Sequence, residues 1–203
     1  MKKTFVIFSV IVCFFIAACN DTNTTTEESS NTSTSSNTAR DGSEATSASN
    51  STSTNNNVVT DEKSKDFMMK AANSGMAEVQ LAKLAQQKAT IDAVKNFAAM
   101  LERDHTAAND QVKTFASQRN VSLPSSPSDD KQKMYNDMDK MSGKAFDKEY
   151  ISMMVKSHND GIKLFEDTKA NASDIDIKNF ADKTLPTLRM HLDSAKAIQK
   201  RYW

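Results

Sequence analysis

The chain has 203 residues, with 26 Lys plus Arg against 26 Asp plus Glu, a formal net charge of zero, and only 7% aromatic residues. That balance builds no basic face for a nucleic-acid backbone, so nucleic acid is excluded as a partner. The only two cysteines, Cys13 and Cys19, precede any candidate core, which excludes disulfides, zinc-thiolate sites and cysteine nucleophiles from the folded part.

The N-terminus reads MKK and then FVIFSVIVCFFIAA, an apolar run from Phe5 to Ala18. It is shorter than the about 20 residues that a bilayer core demands and has the proportions of a secretory signal. The run ends in Ile16-Ala17-Ala18-Cys19, which resembles the lipobox of bacterial lipoproteins. That resemblance implies cleavage before Cys19 and a lipid on its thiol, so residues 1–19 are expected to be a lipoprotein signal and Cys19 the lipidation site. One acyl chain holds a protein only marginally and two or more hold it stably, so the mature N-terminus is expected on a membrane surface. Residues 20–60 are mostly Ser, Thr and Asn, with Val58 and Val59 as the only large aliphatics. Such a composition cannot bury enough surface to offset the entropy of ordering, and a disordered tether with a mean reach of roughly 35 Å is expected.

Residues 61–203 are expected to form one all-α domain, because apolar residues recur there at three- and four-residue spacings. The first helix spans about 61–88, capped by Thr60 or Asp61, with Phe67, Ala71, Ser74, Glu78, Leu81 and Ala85 on one stripe. A second spans about 90–119, with Thr90 as N-cap. Its stripe is Ile91, Val94, Ala98, Leu101, His105, Ala108, Val112 and Phe115, the strict three-four alternation of a bundle. Asn120 suits the left-handed position beyond its end, and Pro124 and Pro127 mark a loop.

A short helix over about 129–140 carries Met134, Met138 and Met141 on one side. The third long helix, about 144–171, aligns Phe146, Tyr150, Met154, His158, Ile162 and Phe165. The fourth starts at Ser173 with Asp176 in a capping-box-like pair. Its stripe is Ile177, Ala181, Thr184, Leu188, His191, Ala195, Ile198 and Tyr202, with Pro186 inside. Helices this long on short links fold back on one another, so the expected fold is an antiparallel four-helix bundle with a short extra helix between the second and third.

The three histidines of the chain each fall on the apolar stripe of a different helix, and Glu78 takes the matching place on the remaining one. Counting residues from the turns puts all four within about one helical turn of a common depth. A buried carboxylate with three buried imidazoles is tolerated when the groups pair or bind metal. Glu78, His105, His158 and His191 are therefore candidate ligands for iron, zinc or manganese. A hydrogen-bonded polar layer that fixes helix register, without metal, stands beside that reading. Glu102, Asp104, Asn109 and Tyr150 are candidate supporting partners, Tyr150 as a core aromatic whose hydroxyl finds a partner. Glu102-x-x-His105 has the spacing of a di-iron motif, but Val155 and Leu188 stand where a second copy needs Glu, so the pattern does not support a ferroxidase. The methionines are read as core filling rather than soft ligands.

Phe67 with Gly75-Met76-Ala77-Glu78-Val79, Val94-Lys95-Asn96-Phe97-Ala98, Asp104-His105-Thr106 with Asn109, Phe146-Asp147 with Tyr150 and His158, and Leu185-Pro186 with His191-Leu192 resemble the ferritin-like family labelled domain of unknown function 4142, described as outer-membrane proteins of bacteria. The resemblance spans 66–202. It implies a ferritin-like bundle in the cell envelope, as an outer-membrane lipoprotein facing periplasm or cell surface, and supplies no catalytic mechanism. The competing expectation is a non-catalytic interaction module on a stalk, with an envelope protein as partner.

Overall fold

A computed structural model describes residues 60–203, which belong to one compact unit. The expected signal, Cys19 and all of the expected tether except Thr60 lie outside the described residues. The elements are α1 (Glu62–Lys88), α2 (Asp92–Gln118), α3 (Asp129–Asp139), α4 (Gly143–Asn171) and α5 (Ile175–Tyr202). Among the described residues there is no strand, and no helix is long and apolar enough to cross a membrane.

The four long helices form the expected bundle, with α3 between the second and third of them. α1 packs along α2 and α4 along α5, and the two pairs meet through α1 with α4 and α2 with α5. Contacts at the bundle ends fix the directions. Asp61, ahead of α1, accepts from the backbone amides of Ser173 and Asp174 at the start of α5 (3.2 Å each). Arg119, after α2, reaches the same end through Asp174. At the other end Thr90, ahead of α2, meets Asp147 at the start of α4.

Neighbouring long helices are therefore antiparallel, while α2 and α4 are parallel and sit diagonally. The segment joining α2 to α4 must run the whole length of the bundle, about 40 Å for the 27 residues of α2. Such a crossover is the ferritin-like arrangement. It corrects the expectation that α2 and α4 fold straight back on one another. The depth match between His105 and His158 survives because His105 lies as far from Thr90 as His158 lies from Gly143, and His105 is also midway along its own helix. The crossover is pinned to α1 at Asn73, whose side-chain oxygen accepts from the Ser128 amide (2.8 Å) and whose amide donates to the Ser128 hydroxyl (3.0 Å). Met138 then buries its side chain in the core, with Met134 and Met141 packed beside it.

Helix starts show where local rules yield to tertiary ones. Asp61 caps α1 as expected, accepting from Ser64 N at 3.0 Å. Thr90 does not cap α2. Its hydroxyl donates to Asp147 (2.6 Å), and the fully buried Asp147 carboxylate also takes the amides of Thr90 and Ile91 (3.0 to 3.1 Å). A carboxylate from α4 thus takes the amides of the two residues that lead into α2 and sets a negative charge at its start. At α5 the cap is Asp174 rather than Ser173, accepting from Asp176 N and Ile177 N. The Asp176 side chain is drawn instead to Arg119 (2.9 Å). Asn120 takes the left-handed position, φ 53°. α5 continues through Pro186. Tyr202, expected on the stripe, is exposed because α5 outruns the core after Ala195.

The Arg119 guanidinium, buried with the Asp174 carboxylate, clasps the end of α2 to the start of α5. Its hydrogen bonds, with the helix-start amides, hold Asp174 below the usual carboxylate range against the opposing effect of burial. A carboxylate depressed by folding stabilises fully above its unfolded value, near 4, and loses that contribution as pH falls through the lower folded value. Asp174→Asn is expected to cost about 2–4 kcal/mol at neutral pH. It should also lose less stability than the parent chain between roughly pH 5 and pH 2. Urea unfolding across that range measures both, and equal acid sensitivity of the two chains would remove the clasp as its source.

Candidate metal centre

The apolar core is divided. One cluster gathers Leu81, Leu101, Phe146, Tyr150 and Met154 with their neighbours, and the other gathers Phe67, Val112, Phe165, Ile177 and Leu188 with theirs. Between them, at mid-bundle, lie Glu78 of α1, His105 of α2, His158 of α4 and His191 of α5. All four are buried, His158 and His191 to within 1% exposure. The structure brings together all four residues singled out from the stripes.

The imidazoles form a nearly equilateral triangle, with ring centroids 5.5, 5.4 and 5.3 Å apart. One nitrogen from each ring lies within 4.8 Å of the other two. The outer nitrogens are all engaged. His158 Nδ1 lies 2.9 Å from the Met154 carbonyl, His191 Nε2 lies 3.1 Å from Asp104 Oδ2, and His105 Nδ1 lies 3.0 Å from Glu78 Oε2. Each of these acceptors is an oxygen that can only receive a proton, so the tautomers follow from the network: the outer nitrogen of each ring carries the hydrogen. The inner nitrogens are then left with lone pairs. His158 Nε2 faces His191 Nδ1 at 3.3 Å, and His105 Nε2 has no hydrogen-bond partner.

Electrostatics sharpens this conflict. Burial, aided by the charge of its imidazole neighbours, lowers His191 to about 4 in spite of Asp104. Burial also lowers His158, against the pull of Glu78. Burial lowers His105 as well, but the charge and hydrogen bond of Glu78 outweigh it and the net shift is upward. Glu78 itself is driven well below the carboxylate range, since His105, His158 and the Ser157 hydroxyl together overcome its burial. A second proton on His105 would sit on Nε2, where it meets no acceptor. With or without that proton, the inward nitrogen of His105 is unsatisfied, which costs about 1–3 kcal/mol for a buried polar group.

The expected four ligands therefore divide by role. Three imidazoles converge, and Glu78 stands behind His105, orienting it. Asp104 was read as a neighbour of His105. It instead reaches from α2 to α5 and holds His191, while Arg103 holds Asp104 at 2.7 Å and keeps its carboxyl low. Glu102 takes no part in the layer. Three residues from His105 it is turned about 60° around the helix, toward α1, where it accepts from Gln86 Nε2 at 2.6 Å. Asn109 lays its amide over Gly75, occupying the space a Cβ there would fill. Tyr150 is fully buried and stacks on Phe146 (6.1 Å, 5°), but its hydroxyl has no partner, contrary to expectation. Burial and the Glu78 charge push that phenol upward.

Two contributors carry no sequence signal. Ser157 donates to Glu78 Oε1, and the Met154 carbonyl, one turn before His158, accepts from its ring. Each lies close to a layer histidine in sequence, yet many such neighbours do nothing.

The family described as "Domain of unknown function (DUF4142)" matches residues 47–198. The chain belongs to the DUF4142 family. The match begins ahead of α1 and ends within the last turns of α5, so it takes in every residue of the layer. Among solved structures, the chain is similar to a DUF305 fragment from Deinococcus radiodurans, with 9% identity, a TM-score of 0.62, and 70% of this chain and 98% of that one covered. It is also similar to the conserved hypothetical protein rv2844 from Mycobacterium tuberculosis, with 16% identity, a TM-score of 0.54, and 70% and 92% covered. At those identities the likeness is one of fold, and it supports the ferritin-like architecture. No curated protein matches the chain significantly.

The Glu78–His105 pair makes a stability prediction. His105→Leu removes the partner of a buried carboxylate and is expected to destabilise by about 3–5 kcal/mol. Replacing both, Glu78→Leu with His105→Leu, removes both charges and should recover most of that loss. Denaturant unfolding of the parent, the single variant and the double variant reads the difference. A single variant as stable as the parent would show that the pair does not hold the layer.

Proposed function

We propose that this is a metal-binding domain of the bacterial envelope, in which His105, His158 and His191 hold one transition-metal ion. The observation that carries the reading is the direction of the six ring nitrogens: three N–H groups turned outward onto Glu78, Asp104 and the Met154 carbonyl, and three bare nitrogens turned inward. Metal-ligating histidines almost always donate their other nitrogen to a carboxylate or carbonyl, which sets the tautomer and strengthens the ligand. Here all three do.

The donor set also fits. Two ligands of one tetrahedral ion at about 2.0–2.1 Å are separated by ~3.3 Å, the spacing found between His158 and His191. Three nitrogens with no thiolate and no carboxylate among them suit zinc or another imidazole-binding first-row ion better than manganese, which prefers oxygen. An ion would engage the facing lone pairs of His158 and His191 and the unpartnered Nε2 of His105. Bound by three neutral imidazoles, it would act as a Lewis acid with a coordination position to spare.

Elemental analysis of the full-length protein, purified without a histidine tag, is expected to find about one equivalent of a first-row metal, and His158→Ala none. Adding zinc to chelator-stripped protein should raise its melting temperature, with about 2.7 kcal/mol of stabilisation at a hundredfold excess over Kd. No bound metal, and melting unmoved by zinc, iron or manganese, would instead make the layer a register device in an interaction module.

Placement in the envelope rests on the N-terminal sequence: the Lys2-Lys3 start, the Phe5 to Ala18 run and Cys19. In this reading a lipid on Cys19 anchors the chain, and the Ser, Thr and Asn-rich residues that follow let the domain stand clear of the surface. Cys19→Ser should move the protein from the membrane pellet to the soluble fraction without changing the melting of the helical domain. Retention in the pellet would remove the lipid anchor.

A further inference from the structure

We infer that the ion held by the histidine triad keeps its open coordination position toward a cavity between α1 and α4, and that this cavity admits a small organic anion with a carboxylate head. The inference rests on the metal reading above and adds a ligand to it. The cavity has a volume of about 420 Å³, within the ~300–1,000 Å³ of small-ligand pockets. His105 and His158 line it and His191 does not, so the triad meets the cavity through two of its three rings. The unpartnered Nε2 belongs to His105, one of those two residues.

The walls set the class of ligand. Leu81, Val112, Met134 and Phe165 make much of the lining apolar, which suits a hydrocarbon body. Lys131 borders the cavity, and so do Lys70 and Lys156, which are held by Asp66 at 2.7 Å and Asp160 at 3.1 Å. The Glu78 charge is already engaged by His105 and Ser157. With a divalent ion on neutral imidazoles the field of the cavity is positive, and it favours an anionic head that completes the coordination of the metal. Gly161 widens the space. A Cβ built there meets nothing within 4 Å, so a side chain can be started there without a clash.

Cobalt(II) substituted into the full-length protein reads both levels separately. Uptake of one cobalt with its visible bands tests the triad. Adding azide or benzoate then tests the open position and the cavity. Both anions are expected to shift the cobalt bands saturably, with benzoate at least tenfold tighter than neutral benzamide. Gly161→Leu is expected to take up cobalt with unchanged bands and to weaken benzoate at least tenfold, while azide, small enough to pass, is weakened far less. Cobalt bands indifferent to both anions, benzamide binding as tightly as benzoate, or a Gly161→Leu variant that responds like the parent would each overturn the inference while leaving the triad standing. Failure of cobalt to bind removes the triad and the inference together.

Discussion

Three imidazole nitrogens pointing at one another in a water-poor interior are the constraint around which this bundle is arranged. Each ring has its outer N–H satisfied, as buried polar groups generally are. Together they present lone pairs, or a stranded proton, with nothing to satisfy them, and the 3.3 Å approach of His158 and His191 makes the conflict direct. The surrounding structure holds the rings in that arrangement rather than relieving it. Glu78 and Asp104 come from helices other than those of the rings they hold, and Ser157 and Arg103 fix the two carboxylates in turn. Support of this kind turns three side chains into a rigid set, which is what a metal site demands.

The layer also explains the two-part core. Apolar clusters above and below it are each built from all four long helices, so the bundle closes on both sides of the polar level. The ends are locked by charge rather than by apolar packing: Asp147 over the start of α2 at one end, the Arg119, Asp174 and Asp61 group at the other. Helices tied at both ends and packed through two cores cannot slide past each other by a turn. A one-turn slip, about 5.4 Å, would carry any one imidazole out of the triangle. Register is thus fixed by the apolar and end contacts, and the histidines are placed by it.

Much of this was legible in the spacing of residues. The stripe from Ile91 to Phe115 placed His105 inward because a three-four alternation leaves no other face for it, and the same logic placed His158 and His191. Depth was legible for a less secure reason. The count assumed a hairpin between α2 and α4, whereas the chain crosses the bundle, and it succeeded because His105 sits at the middle of its helix. A histidine one turn off centre would have been misplaced by two turns. What spacing could not show is which neighbour a side chain chooses. Glu102 and Asp104 flank the same histidine and differ by about 200° around α2, so one turns to Gln86 of α1 and the other to His191 of α5. Thr90 and Ser173 look like helix caps locally, but Thr90 is drawn to the distant carboxylate of Asp147 and Ser173 yields to its neighbour Asp174, which offers the helix start a full charge.

Specificity separates this layer from a mere defect in the core. A polar layer that only set register would satisfy its own groups, as Asp147 does with three donors and Arg119 with two carboxylates. The chain therefore has the means to complete a buried polar network where structure alone asks for one. At the histidine level the completion stops at the outer nitrogens, and the inner ones are kept close, buried and bare. Groups held unsatisfied by an otherwise satisfied shell are what the proposed metal ion would complete. On that proposal, the cavity lined by two of the three rings would give the ion a route to something beyond the protein.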